Sequence, residues 1–257
     1  MQYGVCGGLD LAPVAQACGY DYLESTVAGV LKPLESETAF EEVLRVLAAM
    51  RLPCPALNCF IPANLKLVGP KVDLPTLEVY VTTVFRRAQR AGVQIIVFGS
   101  GGARQVPDGW DRLEAWGQLM TFGRMIAPIA ARHGVTVVVE PLNRRETNEV
   151  NTLAKGAALV RAINHPAVRL LVDGYHWLLE GDSADDIVTH GSLLAHVHIA
   201  TSPTRLPPVA EPCDLQPFFR ALVAAGYTGR ISFEGKLPDP AATLPAALAL
   251  MRRLERD

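Results

Sequence analysis

The chain has 257 residues, 49% hydrophobic and 19% charged, with a net charge of −2. That length is sufficient for one large core, and single α/β barrels are close to it in size. No long run of Lys or Arg occurs, which argues against a nucleic-acid partner and for a small-molecule one.

Five cysteines are scattered without a CxxC spacing, so neither a disulfide framework nor a structural zinc site is expected. The N-terminus, MQYGVCGGLD, lacks the basic start and apolar stretch of a secretory signal. No apolar run is long enough to span a bilayer. The expectation is a cytoplasmic protein of reduced thiols with no membrane partner.

Taken in order, the strand candidates are Tyr3–Cys6, Tyr20–Ser25, Ala56–Phe60, Gln94–Phe98, Thr136–Glu140, Arg169–Asp173, Ala195–Ile199 and Arg230–Glu234. Amphipathic stretches of helical period lie between them at Glu37–Met50, Leu74–Ala91, Asp111–His133, Thr152–Asn164 and Leu215–Ala225, and Pro240–Arg256 closes the chain. Three strands are introduced by AGVQIIVFG, HGVTVVVE and TGRISFE, in which a Gly is expected to end the preceding helix. Strands alternating with crossovers of helix length predict a parallel α/β sheet, and eight such units in this length predict a single closed (β/α)8 TIM barrel over residues 1–257.

The last four strands end in groups that bind metals: VTVVVE at Glu140, RLLVD at Asp173, AHVH at His198 and RISFE at Glu234. In a barrel the C-terminal strand ends converge on one face. One acid at a strand end is ordinarily a helix cap, but four consecutive strand ends carrying only Glu, Asp or His are hard to obtain by capping. Three carboxylates and an imidazole would repel one another without a cation, and such an oxygen-rich set suits Mn²⁺, Mg²⁺ or Co²⁺. Of the two histidines in AHVH, His198 is taken as the ligand. His196 is taken as a packing residue, with one ring expected inside the barrel and the other towards the helices. His176, just past Asp173, suits a ligand or a hydrogen bond to a substrate oxygen. Glu146 lies in an Asn- and Arg-rich loop, where a solvated charge is the plain reading. The glycine-rich stretch Gly99–Asp111 holds Arg104, which with backbone N–H groups suits a phosphate or carboxylate cradle.

EPLNRRETNEVN, LLVDGYHW, HVHIA followed by TRLPP, and GYTGRISFEGK resemble the xylose-isomerase-like TIM barrels of the sugar phosphate isomerase/epimerase superfamily, most of all the D-tagatose 3-epimerase and D-allulose 3-epimerase group. The resemblance covers essentially the whole chain. It implies one divalent metal, usually Mn²⁺ with Mg²⁺, Co²⁺ or Zn²⁺ as alternatives, held by Glu140, Asp173, His198 and Glu234. It also implies that Glu140 and Glu234 are the two catalytic bases and that Glu146 and His176 grip the C1/C2 end of a substrate. Arg205 falls near a substrate-contacting Arg, one residue out of the usual spacing from His198. The activity so implied is epimerisation of a ketose at C3 through an enediolate, on a sugar, sugar phosphate or keto acid. Relatives of this kind commonly form dimers or tetramers, so a homo-oligomer is expected.

Hydroxypyruvate isomerase, or a related aldose–ketose isomerase, is the nearest rival, sharing EPLN, DxYH and the final Glu. The ETNEVN continuation favours the epimerase. An endonuclease IV-like nuclease is disfavoured because the third and fourth strands end without His and Asp214 begins no Asp-x-His pair. The complete ligand set argues against a non-catalytic binding barrel.

Overall fold

The computed structural model describes residues 1–257. Its eight strands are β1 (Gln2–Cys6), β2 (Tyr22–Thr26), β3 (Ala56–Asn58), β4 (Ile95–Phe98), β5 (Thr136–Val139), β6 (Val168–Asp173), β7 (Leu194–Ile199) and β8 (Arg230–Phe233). All pair in parallel, each with its sequence neighbour, and β8 returns to β1 to close the barrel. The (β/α)8 expectation from the alternating pattern is met. Short Val/Ile/Leu-rich strands suit this arrangement because each is covered on one face by helices and on the other by the barrel interior.

The long helices follow the helical-period stretches closely, at Glu37–Ala49, Leu74–Ala91, Arg112–Arg132, Leu153–Ile163, Gln216–Ala224 and Pro240–Leu254. Asp73, Asp111, Thr152 and Asp239 cap four of them, each side chain accepting the backbone N–H three residues on; such a cap contributes about 1 kcal/mol. Gly92 and Gly134, at φ 73° and 68°, turn the chain out of a helix towards β4 and β5 as expected. Before β8 the left-handed residue is Gly226, φ 68°, and not the Gly229 of TGRISFE. Gly229 is small for another reason: a Cβ there would lie 2.6 Å from the Tyr227 hydroxyl.

Five short helices give no periodic signal in the sequence: Ala12–Ala17, Val27–Leu31, Gly101–Arg104, Gly174–Glu180 and Ala184–His190. Each has about two turns or fewer, too little for a pattern to repeat. No helix is long and apolar enough to cross a membrane.

The larger hydrophobic core lies between barrel and helices, and a small second one occupies the barrel interior with Tyr22, Ala56, Ile95, Val97, Val138 and Leu171. The Tyr22 ring fits because Gly4, its register partner on β1, has no side chain; a Cβ there would sit 2.2 Å from the ring. The rest of the interior is polar, and it leads up to the C-terminal strand ends.

Candidate metal centre and active site

At that end, one donor atom each from Glu140, Asp173, His198 and Glu234 comes within 4.8 Å of all the others. Glu140 and Glu234 lie one residue past β5 and β8, yet their backbone N–H groups still donate to Phe98 and Ile199 of the neighbouring strands. The carboxylates are therefore fixed by the sheet and not by a free loop. His198 Nδ1 lies 3.2 Å from a Glu140 oxygen and 3.3 Å from a Glu234 oxygen. Three of the four are almost wholly removed from water, with Glu140 5% exposed, Asp173 2% and His198 0%, while the Glu234 side chain is partly open at 19%.

Burial of this kind penalises charge, and the groups respond differently. Burial pushes the Asp173 carboxyl up to about 6, against the pull of Arg205 and His198. It also raises Glu140, partly offset by the His198 hydrogen bond. Burial acts on Glu234 too, but the His198 charge and hydrogen bond and the Arg205 charge outweigh it and hold the acid at about 2. His198 loses to burial but gains more from Glu24 and Glu234, and is raised well above its ordinary value. Positive charge is in demand here, and three carboxylates with one imidazole form a donor set that fits a divalent cation.

Arg205 reaches the same centre. Its guanidinium hydrogen-bonds Glu234, lies 3.4 Å from Asp173 and 3.6 Å from Glu146, and stacks 4.8 Å over the Tyr175 ring. Its own backbone is left-handed (φ 59°), and its carbonyl accepts from Lys236 N–H just beyond Glu234. Gly235 permits that approach, since a Cβ there would meet the Arg205 carbonyl oxygen at 2.4 Å. Glu146 is exposed on the β5 loop and accepts from Asn143 Nδ2 at 3.0 Å. His176 is buried in the helix after β6, where its Nδ1 accepts the Asn143 backbone N–H at 3.2 Å. The proton must then be on Nε2, which has no hydrogen-bond partner and lies 3.5 Å from Asp173.

Two expectations need correction. Arg104 offers no anion cradle: it is fully buried, its guanidinium donates to the Glu140 carbonyl at 2.7 Å, and burial lowers its pKa to about 10. The surrounding glycines serve packing. A Cβ on Gly99 would lie 2.3 Å from Glu140 Oε2, and one on Gly101 would lie 2.9 Å from the Glu146 carbonyl. His196, in turn, does not face the helices. Residues two apart in a strand share a face, and both rings are inside the barrel with centroids 5.1 Å apart.

Two buried polar residues of the site, Glu24 and Asn58, carry little mark in the sequence. Glu24, in the middle of β2, hydrogen-bonds His196, His198 and Ser232. Asn58, at the end of β3, donates to Glu234 Oε1 at 2.8 Å. An acid inside the run YLES was the available signal for Glu24; nothing local distinguishes Asn58.

The family described as xylose isomerase-like TIM barrel matches residues 12–254. The chain belongs to the xylose isomerase-like TIM barrel family. It is 34% identical to the 3-dehydro-D-guloside 4-epimerase of Escherichia coli K12 over half of each chain. Against the D-psicose 3-epimerase of Ruminiclostridium cellulolyticum it is 29% identical over 67% of this chain and 60% of that one. The chain thus spans about half the length of the curated relatives it matches. Among solved structures of the xylose isomerase-like fold, D-psicose 3-epimerase from Clostridium cellulolyticum H10 superposes with a TM-score of 0.84 at 20% identity over 99% of both chains.

Proposed function

We propose that this xylose isomerase-like barrel is a metal-dependent carbohydrate isomerase, specifically a ketose 3-epimerase, with Mn²⁺ as its ion and Mg²⁺, Co²⁺ or Zn²⁺ as alternatives. Glu140, Asp173, His198 and Glu234 would hold the ion. The observation that carries this reading is the placement of Glu140 and Glu234 just past the ends of separate strands, each within 3.3 Å of the same His198 nitrogen. The names of the epimerase relatives support it.

Moving a hydroxyl-bearing carbon from one configuration to the other requires a proton to leave one face and another to arrive on the opposite face. An unaided carboxylate cannot remove a proton beside a carbonyl at neutral pH. A divalent ion held by Glu140, Asp173, His198 and Glu234 would supply positive charge that makes the carbon next to the carbonyl more acidic. Glu140 and Glu234 then take and return the proton from different sides of the resulting enediolate. His176 presents its spare Nε2–H to a substrate oxygen, and Glu146 and Arg205 hold the hydroxyls at the same end. Asn58 restrains one oxygen of Glu234 and so orients the other. A small sugar is the substrate class that needs this many polar contacts around one carbonyl.

Proton exchange in D₂O, followed by NMR with Mn²⁺ and a panel of ketoses, ketose phosphates and hydroxypyruvate, tests this reading. Deuterium at C3 of a ketose is the expected result, and which member reacts decides whether a phosphate is needed. Exchange only at the hydroxymethyl carbon beside the carbonyl would replace the epimerase with an isomerase. Glu140→Gln and Glu234→Gln should each lower turnover by roughly 10²–10⁴-fold or more; full activity in either would remove that residue from the reaction.

A further inference from the structure

We infer that Glu24 is a positioning residue that fixes the tautomer of His198, so that Nδ1 is the nitrogen whose lone pair faces the metal centre. The inference rests on the reading of Glu140, Asp173, His198 and Glu234 as that centre. Glu24 itself is not among them. It lies on β2 in register with Cys6 and Ala56, below the ring of ligands and fully buried.

The direction of each hydrogen bond follows from one fact, that a carboxylate only accepts. Glu24 Oε1 lies 2.9 Å from His198 Nε2, so that nitrogen carries a proton. Glu24 Oε2 lies 2.7 Å from His196 Nε2 and 2.6 Å from Ser232 Oγ, so both of those donate as well. Ser232 has then spent its only proton, and the Tyr22 hydroxyl, 2.8 Å away, must donate to the Ser232 oxygen. The chain Tyr22, Ser232, Glu24, His198 runs up the barrel with a single possible polarity. His196 shows the same rule at a cost: with Nε2–H given to Glu24, its Nδ1 is buried without any partner.

By the same rule Nδ1, 3.2 Å from Glu140, also holds a proton while no cation is bound. A cation would have to displace that proton, and with Nε2–H kept by Glu24 the lone pair so freed is on Nδ1, the atom that faces Glu140 and Glu234. A carboxylate behind a metal-bound histidine both selects the tautomer and holds the ring plane. A packing residue of the same volume would do neither.

Glu24→Gln discriminates between these roles. The amide nitrogen donates, so Gln cannot accept from His196, His198 and Ser232 together, and a histidine must move its proton. Titration calorimetry of the metal-free protein with Mn²⁺ should show affinity reduced roughly 10–100-fold. Ser232→Ala removes a donor to Glu24 without touching the His198 bond, and Mn²⁺ affinity should stay at the wild-type level. Independently of any variant, long-range ¹H–¹⁵N spectra of the wild-type protein loaded with diamagnetic Zn²⁺ should place the His198 proton on Nε2. A proton on Nδ1, or a folded Glu24→Gln protein that binds Mn²⁺ as tightly as wild type, would overturn the inference while leaving the metal centre standing. If Glu24→Gln does not fold, the wild-type spectrum alone decides. Failure of the wild-type protein to bind any divalent ion would instead overturn the metal centre and this role together.

Discussion

Between β3 and β6 the barrel interior is filled by Ala56, Ile95, Val97, Val138 and Leu171, whereas from β7 round to β2 it is filled by His196, His198, Ser232, Tyr22 and Glu24. The first half needs only volume: any set of apolar side chains that fills the space at native density will close it. The second half needs completeness. Every donor there has an assigned acceptor, one acceptor, His196 Nδ1, has no donor, and a half-satisfied polar network is worse than an apolar one. Apolar packing and polar pairing are therefore divided between two sides of one interior, with Glu140, Asp173, His198 and Glu234 drawn from both at its C-terminal end.

That division can be broken experimentally. Ile95→Ala, in the apolar half, should cost about 2–5 kcal/mol in urea unfolding of the metal-free protein. Mn²⁺ affinity should remain at its wild-type value; a parallel loss of affinity would mean the two halves are not separable. Mn²⁺ at a hundredfold excess over its dissociation constant should stabilise the protein by about 2.7 kcal/mol, a rise of roughly 5–10 °C in Tm for a chain of this size. Asp173→Asn should remove that rise, and an Asp173→Asn protein that still gains it would take Asp173 out of the centre. Gly99→Ala is the finest cut. Its methyl would press on Glu140 Oε2 at a global cost of about 1 kcal/mol, so calorimetry should register weaker Mn²⁺ binding while the unfolding midpoint barely moves.

Much of this was legible beforehand. The eight strands and the long helices follow from periodicity, and the convergence of Glu140, Asp173, His198 and Glu234 follows from acids and an imidazole ending consecutive strands. The Arg104 expectation fails because a Gly-rich loop reads as exposed, whereas these glycines fold into a tight turn of helix that draws the guanidinium under the Glu140 carbonyl. The His196 expectation fails on the strand period itself, which makes it the companion of His198 and not its opposite. Glu24 stayed hidden because its partners lie more than 170 residues away in sequence. Pairing across a closed barrel leaves no local trace.

The contact between Arg205 and Lys236 has a mechanical consequence. The carbonyl of the residue that grips Glu234 and Asp173 is tied to the backbone two positions past Glu234, with Gly235 wedged between. The β7 and β8 loops therefore form one lever with a common fulcrum. On the proposed reading, a sugar that displaced Arg205 at the mouth would also pull on the backbone that seats Glu234, joining substrate arrival to adjustment of the base. Lengthening either loop would uncouple them even with every side chain of the centre left in place.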